Sequence, residues 1–303
     1  MKKEKKRIAP NEASLGRWIA TLVVGSAIGF AMCLILVPFV FDHLIANPDG
    51  TTTVEGIFMG ISRFQIYAHW IFVALFWGLV ISLKVVGKTS LKDFILGVGG
   101  KINKKECLTI LGLYVAGFVI AYLPYLGNIH PRGVNAGEFI FLVLFMLLTV
   151  WEQSTWEEFL FRGLLIRWAC KNKIGFTKKA LLVSVITSVA FALGHAGNPE
   201  VLSQNGIQVL AALASYGLTG FLFFFVSLYF GSLMPGIIVH WVNNFLLSTV
   251  IGSEVSAIAV PTLFVDTTAY TGVGMVISNL LPWLPLLVYI FLDARKKKAA
   301  TLS

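Results

Sequence analysis

The chain has 303 residues, of which 57% are hydrophobic and only 13% are charged, and its formal net charge is +9. Soluble globular proteins have about 25% charged residues, so this composition excludes an ordinary water-soluble globule. Intrinsic disorder is excluded as well, because 24 Phe, 8 Trp and 8 Tyr cannot remain solvated in an extended chain. The three cysteines form no CxxC pair, and they predict neither a disulfide framework nor a cysteine-based metal cluster.

Long apolar runs follow one another along the whole chain. A hydrocarbon core about 30 Å thick needs roughly 20 apolar residues per helix. The sequence accordingly predicts about eight transmembrane helices, at approximately 17–41, 66–86, 107–126, 139–170, 180–196, 207–230, 232–252 and 272–292. The fourth run is too long for one simple crossing, which favours a tilted or kinked helix, and the fifth is short.

These runs predict an all-α, polytopic integral membrane protein built as a single bundle with a polar cavity inside the membrane. The bundle is expected at 17–292, with a motif-bearing core at about 140–250. Basic cytoplasmic tails are expected at 1–16 and 293–303.

Lysine and arginine are distributed unevenly between the predicted loops. All of the 24 except Arg63 and Arg132 lie in the terminal tails, in the loop after the second span, or in region 162–179. Because cytoplasmic loops carry an excess of these residues, both termini are predicted in the cytoplasm, and we expect the plasma membrane of a bacterium. This distribution explains the net charge through contact with the lipid bilayer, without any nucleic acid. The oligomeric state is not predicted.

Ionisable residues at membrane depth are expensive and therefore indicate function by default. They are concentrated in the fourth span, which reads WEQSTWEEFLFRGLLIRW from Trp151 to Trp168. Glu158 and Arg162 are four residues apart, which predicts a structural ion pair on one helix face. Glu157 is turned about 100° away from its neighbour and is the freer carboxylate. The sequence predicts no role for Glu152.

Two later spans add polar side chains at helical spacing. Phe191 precedes His195 by four residues and is expected to form a cavity wall beside the imidazole, while His240 precedes Asn244 by four. A carboxylate and an imidazole that face one water can act as general base and proton shuttle. A second imidazole and an amide can donate to the negative charge of a tetrahedral intermediate. Together with Glu157, these groups predict peptide hydrolysis.

Three motifs stand in order on successive spans: Glu157-Glu158-x-x-x-Arg162, Phe191-x-x-x-His195 and His240-x-x-x-Asn244. In this order they resemble the motifs of the CAAX-protease and bacteriocin-processing family, also called the Abi family, over roughly residues 140–250. The resemblance implies an eight-helix intramembrane endopeptidase with a cavity reached from the cytoplasmic side or from the lipid. It also implies that Glu157 and His195 activate water, that His240 and Asn244 stabilise the oxyanion, and that the remaining motif acid and arginine are structural.

Alternatives remain open at this point. Glu157, His195 and His240 could hold zinc with an open position. However, HExxH is absent and asparagine is a poor zinc ligand, so we expect no required cofactor, with zinc as the alternative. The expected partner is a peptide or a membrane-anchored protein substrate of unknown identity. The alternative function is a non-catalytic membrane scaffold or a bacteriocin self-immunity protein of the same family.

Overall fold

A computed structural model describes residues 14–42, 44–46, 52–54, 57–58, 63–96, 102–170, 175–253, 255–257 and 260–300. Most of the predicted amino-terminal tail lies outside the described residues, as do Lys101, Lys171 and the last three residues of the predicted carboxyl tail. Each of the eight predicted spans coincides with helical structure in the described ranges.

The described helices, in chain order, are α1 (Leu15–Asp42), α2 (Arg63–Val85), α3 (Leu91–Leu96), α4 (Lys104–Tyr122), α5 (Ala136–Glu158), α6 (Leu164–Ala169), α7 (Lys178–Gly194), α8 (Pro199–Leu202), α9 (Ile207–Phe230), α10 (Met234–Thr249), α11 (Gly272–Leu280) and α12 (Leu284–Ala300). Short antiparallel strands β1 (Leu44–Ala46), β2 (Thr52–Val54) and β3 (Ile57–Phe58) follow α1 in the order β1-β2-β3. The sequence analysis does not anticipate these strands.

In the described part of the chain, six helical segments are long and apolar enough to cross a membrane: Leu15–Ile35, Gln65–Val85, Lys104–Asn128, Ala136–Ala169, Ile207–Phe230 and Val273–Ala300. Helices α7 and α10 have 17 and 16 residues. Large apolar side chains such as Phe30 and Leu148 are exposed on the outside of the bundle, as contact with lipid requires. The all-α polytopic membrane fold is therefore confirmed, while the number of eight crossings stays a prediction.

The fourth predicted span is continuous but irregular in the middle. Helix α5 passes into a π-helical turn, Phe159–Gly163, and then into α6. In this turn the Leu164 amide donates to the Phe159 carbonyl, five residues back. Single π turns inside α-helices are rare and concentrate at functional sites, and this one directly follows the two adjacent glutamates.

The eighth predicted span is interrupted. A 3₁₀ turn at Leu281–Trp283 separates α11 from α12, because Pro282 cannot donate a helical hydrogen bond. Helix α12 then continues to Ala300, so the described part of the predicted carboxyl tail is helical.

Contacts between helix ends define two ends of the bundle. At one end, strands β4 (Ile129–Pro131), β5 (Ile251–Gly252) and β6 (Phe264–Asp266) form a sheet of order β4-β6-β5. This sheet joins the end of α4, the end of α10 and the segment before α11. The segment after α7 joins them, because Glu200 accepts a hydrogen bond from the Ala257 amide. We call this the sheet end.

The opposite end is defined by different contacts. Ser232, between α9 and α10, donates to the Ile95 carbonyl of α3. Tyr229, near the end of α9, donates to Asp293 of α12. We call this the basic end, because many lysines and arginines lie at or near the helix termini here. Those among the described residues are Arg17, Lys84, Lys88, Lys92, Lys104, Lys105, Lys178, Lys179, Arg295, Lys296, Lys297 and Lys298.

Candidate active site

Glu158 and Arg162 form the ion pair that their spacing predicts. Arg162 Nη1 lies 2.8 Å from Glu158 Oε1, and both side chains are fully buried. Arg162 Nη2 donates to the Gly220 carbonyl of α9 at 3.2 Å, and the guanidinium carbon lies 4.4 Å from the centre of the Phe191 ring. A buried arginine is tolerable when it is paired and hydrogen-bonded in this way. The pair thus joins the π turn to α7 and α9.

His240 contacts both adjacent glutamates. Its Nδ1 lies 2.9 Å from Glu158 Oε1, and its Nε2 lies 3.7 Å from Glu157 Oε2. Because an ionised carboxylate only accepts hydrogen bonds, Nδ1 is the donor to Glu158. The ring is stacked on Phe223 at a centroid distance of 4.6 Å. Glu158 and Glu157, which point in different directions from their helix, therefore contact the two different nitrogens of the His240 imidazole.

The Glu157 carboxylate is covered, with the residue only 5% exposed. Its Oε1 accepts a hydrogen bond from Gln153 Nε2 at 3.1 Å, whereas its Oε2 has no hydrogen-bond partner. An unpaired buried carboxylate oxygen is costly, so this atom is available to accept a hydrogen bond. Sequence reasoning missed Gln153, although its position one helical turn before Glu157 was a usable signal.

His195 caps the end of α7 and is half-buried. Its Nδ1 lies 2.7 Å from the Phe191 carbonyl. Since a carbonyl only accepts, Nδ1 carries the hydrogen, and Nε2 of the neutral ring is left with a lone pair. The imidazole lies between Phe191 and Tyr216, at centroid distances of 4.3 and 4.4 Å. Phe191 therefore packs beside the imidazole, while its role in the site stays a prediction.

Tyr216 belongs to a polar cluster that sequence reasoning missed. Its hydroxyl donates to Glu200, which also accepts from Asn198 Nδ2 at 3.0 Å and from the Ala257 amide at 2.9 Å. The cluster connects the segment after α7 to the segment after α10. No pattern in the sequence pairs the acid of the short helix α8 with a tyrosine 16 residues later.

Asn244 is oriented by its neighbours on α10 and α4. Asn243 Nδ2 donates to Asn244 Oδ1 at 3.0 Å, and the Tyr114 hydroxyl donates to Asn243 Oδ1 at 2.9 Å. With Oδ1 accepting, Nδ2 is the atom of Asn244 that can donate to an oxyanion. Tyr114 is a second residue that sequence reasoning missed.

A cavity of about 470 Å³ brings these groups together. His195, His240 and Asn244 all line it, together with Phe191. Glu157 does not line it but contacts His240 in its wall. Three of the four predicted catalytic side chains therefore meet at one cavity, and the fourth lies directly behind one of them.

The rest of the lining combines apolar and polar side chains and carries no lysine or arginine among the described residues. It includes Gln153, Asn198, Glu200, Tyr216, Asn243 and Asp266. Asp266 accepts from the Tyr270 hydroxyl at 2.8 Å, and burial together with this carboxylate raises the pKa of the Tyr270 phenol above its usual range. The phenol therefore remains a hydrogen-bond donor at neutral pH.

The donor set does not fit the zinc alternative. Among the described residues, no three His, Cys, Asp or Glu side chains converge where a metal ion could bind. His240 Nδ1 is already engaged by Glu158. The expectation that no cofactor is required stays a prediction.

Comparison with known proteins bears on the same segment of the chain. The family model for type II CAAX prenyl endopeptidase Rce1-like proteins matches residues 139–246. The resemblance to the CAAX-protease family is confirmed for this segment. Over 230 residues the chain is 24% identical to a protein of Bacillus subtilis (strain 168) named Uncharacterized protein YyaK, and the match covers 74% of each chain. No solved structure matches the chain.

The matched segment, residues 139–246, contains every motif residue and also Gln153, Glu200 and Tyr216. The cavity extends beyond it, because Tyr122 and residues between Ser253 and Pro282 also line it. The family pattern thus covers the polar groups at the centre, while flanking segments of this chain complete the cavity walls.

Proposed function

We propose that this protein is an intramembrane endopeptidase of the CAAX-protease type, which hydrolyses a peptide bond in a peptide or a membrane-anchored protein. One observation carries the proposal: His195, His240 and Asn244 line one cavity, and Glu157 contacts His240 in its wall. The match to a protease family over residues 139–246 supports the reaction class.

Glu157 and His195 are assigned to the activation of water. The lone pair on His195 Nε2 can take a proton from a cavity water, and the unpartnered Glu157 Oε2 can hold or take a second hydrogen. The water oxygen attacks the carbonyl carbon and forms a tetrahedral intermediate. Return of the proton to the amide nitrogen accompanies cleavage of the C–N bond, which releases a carboxylic acid and an amine.

His240 and Asn244 are assigned to the oxyanion of that intermediate. Asn244 donates from Nδ2, and His240 donates from Nε2 when both of its nitrogens carry hydrogen. Glu158 serves as the positioning partner of His240.

The test compares Glu157→Gln and His195→Ala with the control Glu152→Gln, because Glu152 also lies in the fourth span but bonds to Trp77 at an exposed position, whereas Glu157 contacts His240. Quantitative proteomics of membranes first identifies a polypeptide that accumulates uncut with Glu157→Gln, and this polypeptide is then offered to each purified full-length variant. Loss of general acid–base catalysis costs about 10²–10⁴ in rate. We expect this loss in the two site variants and none in the control.

Full cleavage by both site variants would overturn the proposal. If no polypeptide accumulates and both variants keep the cellular phenotype of the wild-type protein, a non-catalytic scaffold or self-immunity protein is the better description. Thermal unfolding in detergent accompanies every assay, so that loss of folding is not mistaken for loss of catalysis.

A further inference from the structure

The cavity lies at the sheet end of the bundle, away from the lysines and arginines. Its lining comes mainly from the end of α4, the segment after α7, the later part of α10 and the segment before α11, together with side chains of α5, α9 and α11. The β4-β6-β5 sheet and the Glu200–Ala257 hydrogen bond hold the first four of these together. A ligand that enters between these four segments therefore arrives from the sheet end.

The route from the basic end is filled with apolar side chains. Phe94, Phe159, Phe224, Leu233 and Ile237 are each no more than 2% exposed and belong to one buried cluster. Leu233 and Ile237 precede His240 on the way from the basic end, and Phe224 follows Phe223 toward that end. The Glu158–Arg162 pair, which is fully buried, lies behind this cluster. Close packing of this kind leaves no path for a peptide between the described residues of this end.

Charge assigns the two ends to the two sides of the membrane. Apart from Arg63 at the start of α2 and Arg132 after β4, the lysines and arginines at the described helix termini belong to the basic end. Short loops rich in these residues remain in the cytoplasm. The sheet end instead carries Glu138, Glu200 and Asp266, and acidic residues contribute little to orientation.

We infer that the cavity opens on the non-cytoplasmic face of the membrane, and not on the cytoplasmic side that the family resemblance implies, and that it receives a peptide segment presented from that face. That this segment is a substrate rests on the proposed function, whereas the direction in which the cavity opens does not. The lining suits a polypeptide backbone, because it offers amides, hydroxyls and carboxylates from several elements. Cleavage would then release its products outside the cytoplasm or into the outer half of the bilayer.

Cysteine accessibility tests this inference without any need for catalysis. Ser203→Cys places a thiol at an exposed position in the cavity lining, and Lys92→Cys places one at an exposed position of the basic end. Intact cells that express each full-length variant are treated with a charged, membrane-impermeant maleimide. The unsubstituted chain gives the background from Cys107, which is half-buried near the start of α4, and from two buried cysteines.

Ser203→Cys should be labelled at least about tenfold faster than Lys92→Cys in intact cells, because a charged reagent does not cross the hydrocarbon core. Permeabilised membranes should label both. The reverse order in intact cells, or labelling of Ser203→Cys only after permeabilisation, would overturn the inference.

Adding Glu157→Gln to each cysteine variant separates the two proposals. The labelling order should be unchanged in this background, since Glu157 does not line the cavity. Unimpaired cleavage by the Glu157→Gln variants, with the expected labelling order, would contradict the proposed function alone. Loss of cleavage in Glu157→Gln, with the reversed labelling order, would contradict only the direction of opening.

Discussion

The two sides of the cavity differ in how they are built. On the buried carboxylate side, Glu157, Glu158, Arg162 and His240 are each no more than 5% exposed and contact one another directly. The open imidazole side consists of His195, Tyr216, Glu200 and Asn198. Its His195 is half-buried at a helix end. Tyr216 belongs to α9, Glu200 to the short helix α8, and Asn198 to the segment between α7 and α8.

This difference predicts that the buried carboxylate side matters mainly for the stability of the fold, and the open imidazole side mainly for activity. On the buried carboxylate side, removal of one charge leaves another uncompensated in a dry interior, so folding should suffer most. On the open imidazole side, the ring is held by stacking and by a hydrogen bond to a carbonyl, and water can reach it. Substitutions there should alter activity more than stability.

The largest effect is expected from Glu158→Gln, which removes the carboxylate shared by Arg162 and His240. The Arg162 guanidinium then remains buried without an adjacent counter-charge on its own helix turn. Breaking a buried ion pair costs about 3–5 kcal/mol. We expect this loss in the free energy of unfolding, measured by SDS titration of the purified protein.

A double variant distinguishes charge imbalance from loss of a contact. Glu158→Leu combined with Arg162→Met replaces both charges with apolar groups of similar volume, which is often neutral or stabilising. The double variant should therefore recover most of the stability but not the activity, because His240 has lost the partner of its Nδ1. A double variant as unstable as Glu158→Gln would show that the two sides do not differ in the proposed way.

The next effect tests the open imidazole side through Tyr216. Tyr216→Leu removes the ring stacked on His195 and the hydroxyl bound to Glu200, while Tyr216→Phe removes only the hydroxyl. Misplacement of a catalytic group by about 1 Å can cost 10²-fold in rate. We expect a loss of kcat of this size for the leucine variant and a smaller loss for the phenylalanine variant, with thermal unfolding little changed. A large loss of stability in both would contradict the assignment.

A moderate effect is expected where α9 approaches the buried carboxylate side. A Cβ at Gly220 would lie 2.9 Å from Arg162 Nη2 and 3.1 Å from Phe191 Cδ1, whereas a Cβ at Gly217 meets its neighbours at 3.7 Å. Overpacking of a close-packed interior costs about 1–3 kcal/mol, so Gly220→Ala should be destabilised by this amount. Gly217→Ala is the matched control on the same helix and should be neutral or more stable. Equal unfolding curves for the two variants would contradict this packing argument.

The fold was predictable from sequence because membrane spans are encoded in long apolar runs. Each predicted run coincides with a helix, since backbone groups in lipid must be bonded within their own segment. The π turn at Phe159–Gly163 and the 3₁₀ turn around Pro282 were harder to predict from the sequence. The first depends on packing around Arg162, and a proline can be accommodated in several ways within a helix.

At the site, sequence predicted pairs on one helix better than contacts between helices. The Glu158–Arg162 pair and the Phe191–His195 contact follow from spacing alone. The contacts of His240 with both glutamates and the bond between Tyr216 and Glu200 join different elements, so they depend on how the bundle packs. The catalytic assignment itself stays a prediction.

The smallest effect is expected at Glu152, for which the sequence predicts no role. Its carboxylate accepts a hydrogen bond from Trp77 Nε1 at 3.0 Å, a contact between α5 and α2 in an exposed position on the outside of the bundle. A net hydrogen bond to a charged group contributes about 1.5–3 kcal/mol at most, and Gln keeps an acceptor oxygen at the same place. Glu152→Gln should therefore change the free energy of unfolding by less than about 1 kcal/mol and leave kcat unchanged. Trp77→Phe on the partner helix should behave in the same way. Of the two glutamates, only Glu157 contacts His240. A loss of activity in Glu152→Gln as large as that in Glu157→Gln would therefore contradict the assignment of the essential carboxylate to the buried carboxylate side.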